Sequence, residues 1–229
     1  MADPTRGTRS AKGAGSPKRA GSAKGAGPAE ADRVRARDLH PLIRGAGKRG
    51  ELPGWGLLKG ARLAHSKRVA EVMEGWALEL GLRKVDRHRW RAAAMFHDSL
   101  KAVPPRRLRK MLSGGDRRLP GPVLHGPACA RTLADEGVDD RPLLLAVAYH
   151  TTGHPDLDLL GKALYVADYV EPGRRSGAKR RAAFRSRFPA DHAAVVVDVA
   201  ALKIGALIHA RLAIPPITAR FWRSVLDHR

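Results

Sequence analysis

The chain has 229 residues, 43% of them hydrophobic and 5% aromatic, with a formal net charge of +21. That length holds one domain of ordinary size plus some unstructured chain, and an alanine- and leucine-rich, aromatic-poor composition favours packed helices over a sheet. The single cysteine, Cys129, excludes an intramolecular disulfide and fits a reducing, cytoplasmic setting. No apolar h-region opens the sequence, so no secretion signal is expected. The longest apolar stretch, 193–210, is broken by Asp198 and Lys203 and reads as a buried helix, not a membrane span.

Residues 1–57 are dominated by Gly, Ala, Ser, Pro, Lys and Arg, with AKGAGS, SAKGAGP and IRGAGKRG as near-repeats. Such a segment buries too little apolar surface to offset the entropy of ordering it, so it is expected to be a disordered basic tail preceding a folded domain over 58–229. Residues 1–50 carry 12 Lys or Arg against 4 Asp or Glu, and the remainder 31 against 18. Both parts are therefore basic and suited to polyanions. For the tail, non-specific contact with RNA or the ribosome through counterion release is one reading; a dispensable extension or a misassigned start codon is the other.

From residue 61 the apolar spacing becomes helical. Val69, Val72, Met73, Trp76 and Leu80 lie on one stripe that Gly81 ends. A second helix is expected over 86–102, stopped by Pro104 and Pro105, and a short basic one over 106–112. Further helices are expected over 126–137, 141–150 and Leu159–Val170. After a basic loop come a long helix over 189–213 and a last one over 217–227. Helices joined by short Pro- and Gly-marked turns make an all-α domain.

Chemistry-bearing residues fall on or beside the inward faces of these helices. His65 precedes Val69 by four residues on the buried stripe, where packing alone would call for an apolar side chain. His97 and Asp98 follow the apolar run 92–96, and His150 ends the helix through Leu143 and Val147. Asp168 lies four residues after Leu164, and a buried carboxylate is costly unless paired or bound to metal. His125, before a Gly-Pro helix start, is the least constrained by pattern. A lone HD dipeptide is expected by chance in a chain this rich in both residues, and each histidine alone is better explained by a hydrogen-bonded core position. A shared metal site accounts for all of them together. Imidazole and carboxylate donors without thiolates suit iron, manganese or cobalt, and so many ligands suit two ions bridged by Asp98.

The segments HSKRVAEVM, FHDSLK, LHGPACA, YHTTGHPDL and LYVADYVEPGR resemble the YqeK-type branch of the HD superfamily, bacterial symmetrical bis(5′-nucleosyl)-tetraphosphatases. The likeness runs from about Arg62 to the final AIPPITARFWRSVL and leaves the tail outside. It implies an HD-type helical bundle with a binuclear, iron-binding centre. His65, His97, Asp98, His125, His150 and Asp168 would be the ligands, with His125 and His150 as the pair that distinguishes binuclear sites. It implies the hydrolysis of diadenosine tetraphosphate to two ADP. Departures are Cys129, where a smaller residue is usual, and the long basic tail; the arginine- and proline-rich 104–122 segment could in addition alter a loop near the site.

Among other residues, Asp98 would bridge the metals and position the attacking hydroxide. Lys101, four residues after His97, is placed to neutralise phosphate, although an ordinary solvated lysine would look the same. Arg62 projects from the same helix side as His65 and could reach a polyphosphate. Thr151 and Thr152 could offer hydroxyls. The resemblance implies that Gly153 approaches the substrate, that Arg174 contacts it, and that the turn ending at Thr218 flanks the nucleotide. His154 is either substrate-facing or one step behind. Two alternatives stay open: the same site acting on another nucleotide, and an RNA- or ribosome-associated binding protein that keeps only the fold. The presence of all six ligands speaks against the latter. Oligomeric state and base preference are not readable from the sequence.

Overall fold

Proline in the first turn and aspartate at the N-cap set several helix starts. Pro41, Pro105, Pro142 and Pro216 occupy first-turn positions, where a missing N–H costs nothing. Asp140 and Asp158 accept from the backbone N–H groups of Leu143 and Gly161 at 3.1 and 2.9 Å. The computed structural model describes residues 39–227, and among these it contains ten α-helices and no strand. They are α1 (Pro41–Arg49), α2 (Gly60–Glu79), α3 (Lys84–Phe96), α4 (Pro105–Met111), α5 (His125–Asp135), α6 (Arg141–Tyr149), α7 (Leu159–Val170), α8 (Ala178–Arg187), α9 (His192–His209) and α10 (Pro216–Leu226). Two 3-10 turns, Asp116–Arg118 and Gly121–Val123, lie between α4 and α5.

The core forms where α2, α3, α6 and α7 meet, through Val69, Met73, Phe96, Leu143, Val147, Leu164 and Val166, all essentially inaccessible. Each such side chain contributes about 1.5–3 kcal/mol by leaving water. Arg89 on α3 donates two hydrogen bonds to Asp140 at the start of α6, 2.6 and 2.7 Å, so the residue that caps α6 also fixes it to α3. His65 and Asp168 lie within α2 and α7, and His97 and His150 cap the C-terminal ends of α3 and α6.

Four details differ from the sequence expectation. First, the chain is ordered well before residue 58. Leu39, Ile43 and Ala46 are buried and α1 packs on α3. Its low hydrophobicity is misleading because Gly45, Ala46 and Gly47 bury backbone instead of side chain. The remainder of the expected tail, 1–38, lies outside the described residues. Second, α3 stops at Phe96, not near 102. Bonds from the N–H groups of Ser99, Lys101 and Val103 to the carbonyls three residues earlier take the chain through tight turns. Third, the basic loop contains α8, which is seated by Phe184 and Phe188. Trp76 stacks on Phe188 at 4.0 Å and donates to the Arg185 carbonyl at 2.9 Å. Fourth, α9 is shorter than 189–213. It is long and apolar enough to cross a membrane, yet Val195, Val196, Val197, Val199 and Ala200 are buried in the core, while Ile208 and the following Leu212 are exposed.

The contact of α1 with α3 gives a test. A β-carbon at Gly47 would fall on the His88 backbone carbonyl, well inside van der Waals contact. Gly47→Ala should therefore destabilise the fold by about 1–3 kcal/mol by denaturant unfolding. If α1 were unpacked, the same change would be neutral, or stabilising by up to about 1 kcal/mol through helix propensity.

Candidate metal centre

His65 projects from the middle of α2, His97 caps the end of α3, His125 opens α5, His150 caps α6 and Asp168 sits on α7. Their functional atoms converge. His65 Nε2 lies 3.3 Å from His97 Nε2 and 3.2 Å from Asp168 Oδ1. His125 Nε2 lies 3.2 Å from His150 Nε2. Asp98 stands between the pairs, with Oδ2 3.8 Å from His97 Nε2 and Oδ1 3.0 and 3.6 Å from those of His125 and His150. Two clusters could each hold a metal ion, His65–His97–Asp98 and Asp98–His125–His150, with Asp98 common to both.

Three of the rings have a defined tautomer. Nδ1 of His97, His125 and His150 lies 2.6, 2.9 and 2.8 Å from the carbonyls of Ala94, Pro122 and Val147. A carbonyl only accepts, so each Nδ1 must carry a proton. In the neutral ring Nε2 is then a bare lone pair directed inward, the arrangement that ligating histidines require. His65 Nδ1 faces Glu171 Oε1 at 3.3 Å. Glu171 is itself buried and accepts from Arg68 Nε at 2.6 Å and the Gly173 N–H at 2.8 Å.

Charge follows burial and neighbours. Burial pushes the His125 imidazolium down and that of His150 down to about 4. Burial also opposes ionisation of Asp98, but His97, His125 and His150 outweigh it and hold the carboxyl well below its usual range. For Asp168 the same balance is tipped by His65, His97, Lys203 and His150. His65 is moved upward: burial disfavours its charged form, and Asp168 and Glu171 overcome that. Burial thus favours neutral imidazoles at His125 and His150 beside ionised Asp98 and Asp168, a donor set that fits a divalent metal.

A cleft of about 380 Å³ opens beside Asp98 and is lined by Arg62, His65, Lys101, Thr151, Asp168 and Arg174, with Glu171 at its wall. Lys101 Nζ is 3.1 Å from His125 Nε2 and 3.7 Å from Asp98. Arg174 donates to the Asp168 carboxylate at 2.8 Å and to its carbonyl at 2.9 Å. Four expected substrate contacts do not line this cleft. Thr152 is buried, and Gly153, at φ +72°, leaves no room for a β-carbon against the Phe221 ring, so packing alone already requires glycine there. Thr218 is buried with its hydroxyl unpartnered. His154 packs against Tyr149, ring centroids 4.7 Å apart, in a separate cleft of about 580 Å³ with Pro215, Pro216 and Arg220.

Sequence reasoning missed Glu171, Arg68 and Lys203. Arg68 and Glu171 each follow a ligand candidate by three residues, one helical turn on, and that spacing could have found them. Lys203 reaches in from α9, its Nζ 3.7 Å over the Tyr165 ring and 3.3 Å from the His150 carbonyl; burial lowers its pKa to about 8.

The family model for the HD domain matches residues 62–173, a stretch that contains all six ligand candidates. Curated relatives named symmetrical bis(5′-nucleosyl)-tetraphosphatase are similar to about half of the chain. The Staphylococcus aureus protein is 34% identical over 120 residues, 49% of this chain and 60% of that one. The Bacillus subtilis protein is 36% identical over 107 residues, 43% and 56%. The Halalkalibacterium halodurans protein is 35% identical over 121 residues, 50% and 63%. The matched region thus spans less than two thirds of each relative's own length. A crystal structure from Clostridium acetobutylicum, described as a predicted HD superfamily hydrolase involved in NAD metabolism, superposes with a TM-score of 0.66. It is 26% identical and covers 75% of this chain and 92% of that one.

Two measurements test this geometry. Glu171→Gln, which weakens the hold on His65, should lower metal affinity or activity about 10–100-fold; an unchanged metal affinity and activity would remove Glu171 from the site. In metal-free protein, His125 and His150 take up protons on unfolding below their ordinary value of 6.5. Asp98 does so below its own ordinary range, so all three make stability fall with falling pH. His65 acts with the opposite sign. The denaturation midpoint should fall from pH 7 toward 5, and His150→Gln should flatten that dependence. A midpoint independent of pH would contradict the assignment.

Proposed function

We propose that this chain, which carries an HD domain over residues 62–173, is a phosphohydrolase using two divalent metal ions to cleave dinucleoside tetraphosphates symmetrically, diadenosine tetraphosphate giving two ADP. The observation that carries the two-ion reading is the sharing of Asp98 between two histidine-rich clusters. Iron is the proposed metal, with manganese and cobalt as alternatives from the same N/O donor set. The names of the curated relatives support the substrate.

His65, His97 and Asp168 would hold one ion and His125 and His150 the other, with Asp98 between them. When bound, the ions would supply Lewis acidity to a water and to a phosphoryl oxygen. Everything else is done by side chains already in place. Asp98, ionised and facing both pairs, is positioned to orient the attacking water. Arg62, Lys101 and Arg174 line the cleft and would neutralise a polyphosphate chain lying in it. Attack at one central phosphorus breaks the middle P–O–P link and expels a nucleoside diphosphate. That is a good leaving group, so charge neutralisation matters more than a strong general acid. Arg174, now paired with Asp168, is the cleft cation best placed to exchange a carboxylate for a phosphate partner.

Anaerobic, iron-loaded protein should convert diadenosine tetraphosphate to ADP alone. His125→Ala should reduce turnover by at least the roughly hundredfold upper end seen when a mere supporting residue is lost. AMP with ATP as products would overturn the symmetrical assignment. Turnover of another nucleotide with none of this one would overturn the substrate.

A further inference from the structure

Between residues 106 and 118 the chain places Arg106, Arg107, Arg109, Lys110, Arg117 and Arg118, and none of them belongs to the metal cleft. All are exposed except Arg109, which is half-buried. Several arginines elsewhere are occupied. Arg68, Arg83, Arg89, Arg131 and Arg187 pair with carboxylates, and Arg181 and Arg185 bond backbone carbonyls while seating α8. No such ion pair forms for these six among the described residues. The segment's own carboxylate, Asp116, accepts instead from the Tyr149 hydroxyl at 2.9 Å.

Four of the six, Arg106, Arg109, Lys110 and Arg117, face one another across a groove of about 400 Å³ with no acidic side chain in its lining. The groove is a built feature of the fold. Leu108, Leu112 and Leu119 are buried and hold α4 and the adjoining 3-10 turn in the core, and Arg109 donates to the Arg117 carbonyl, linking the two walls. Like charges gathered in one concavity repel, and a row of phosphates relieves that repulsion and releases counterions.

We propose that this groove binds the phosphodiester backbone of a nucleic-acid strand. A strand fits better than a membrane surface. The cations line a concavity, the apolar residues Leu108 and Leu112 point inward, and only Leu57 and Met111 are exposed beside it, too little to insert into a bilayer. The proposal does not depend on which small nucleotide the metal cleft accepts. It also rests on residues other than those of the basic N-terminal region.

The test is fluorescence anisotropy of the full chain with labelled oligouridylate and with the matched DNA strand, titrated with salt. The variant is Arg106→Gln with Lys110→Gln and Arg117→Gln, leaving Arg109 to hold the turn. Affinity for RNA, DNA or both should fall about tenfold or more, and the slope of log affinity against log salt should flatten by about 2, near 0.7 per lost phosphate contact. Arg106→Lys with Arg117→Lys should keep the slope of the unaltered protein, and hydrolysis of free nucleotide should not change in either variant. An unchanged salt slope on both strands would overturn the proposal. So would a loss confined to phosphatidylserine vesicles, which would assign the surface to a membrane instead.

Discussion

The rest of the structure depends on two pairs of imidazole nitrogens brought nose to nose. His65 Nε2 and His97 Nε2 are 3.3 Å apart, and His125 Nε2 and His150 Nε2 are 3.2 Å apart. In the second pair both protons are pinned to the far side of the rings by backbone carbonyls, so two lone pairs point at each other with nothing to share. Lone pairs that close repel unless a cation lies between or beside them. Lys101, 3.1 Å from His125 Nε2, supplies one positive charge at that point, and Asp98 supplies the negative charge that a divalent ion would balance.

The helices exist, in this sense, to aim rings. His97, His125 and His150 each bond the carbonyl three residues earlier, and each stands at a helix end. There the backbone has just left or not yet entered the regular ladder, and a carbonyl is free to accept from a side chain. The early stop of α3 belongs to the same logic. A continuous helix would turn successive residues about 100° apart, whereas tight turns after Phe96 let His97 and Asp98 face one cavity. Buried Leu143, Val147, Leu164 and Val166 then fix the helices that carry these ends to within packing tolerance.

Much of this was legible in the sequence, for a physical reason. The stripe through Val69, Met73 and Trp76 predicts both α2 and the inward direction of His65, because a 3.6-residue period maps position onto face. The six ligand candidates were identifiable since polar groups on buried faces are costly without a partner. What periodicity cannot report is which small residues bury backbone, so α1, with Gly47 against His88, passed for disordered chain. Nor can it see a helix whose composition is mostly basic but whose two phenylalanines seat it, as in α8. Gly153 and Thr218 are linked to substrate by likeness alone; in the structure Gly153 packs on Phe221 and Thr218 is buried in the C-terminal helix. Lys203 was invisible because it reaches the site from a helix remote in sequence.

The central claim is that two ions share Asp98, and counting them is the most direct check. The 229-residue chain, purified and reconstituted anaerobically with ferrous iron, should bind two ions per chain by elemental analysis. His125→Ala should retain one, and the intact protein should carry the magnetic signature of a coupled pair after partial oxidation. One ion per chain in the intact protein, unaltered by His125→Ala, would contradict the account.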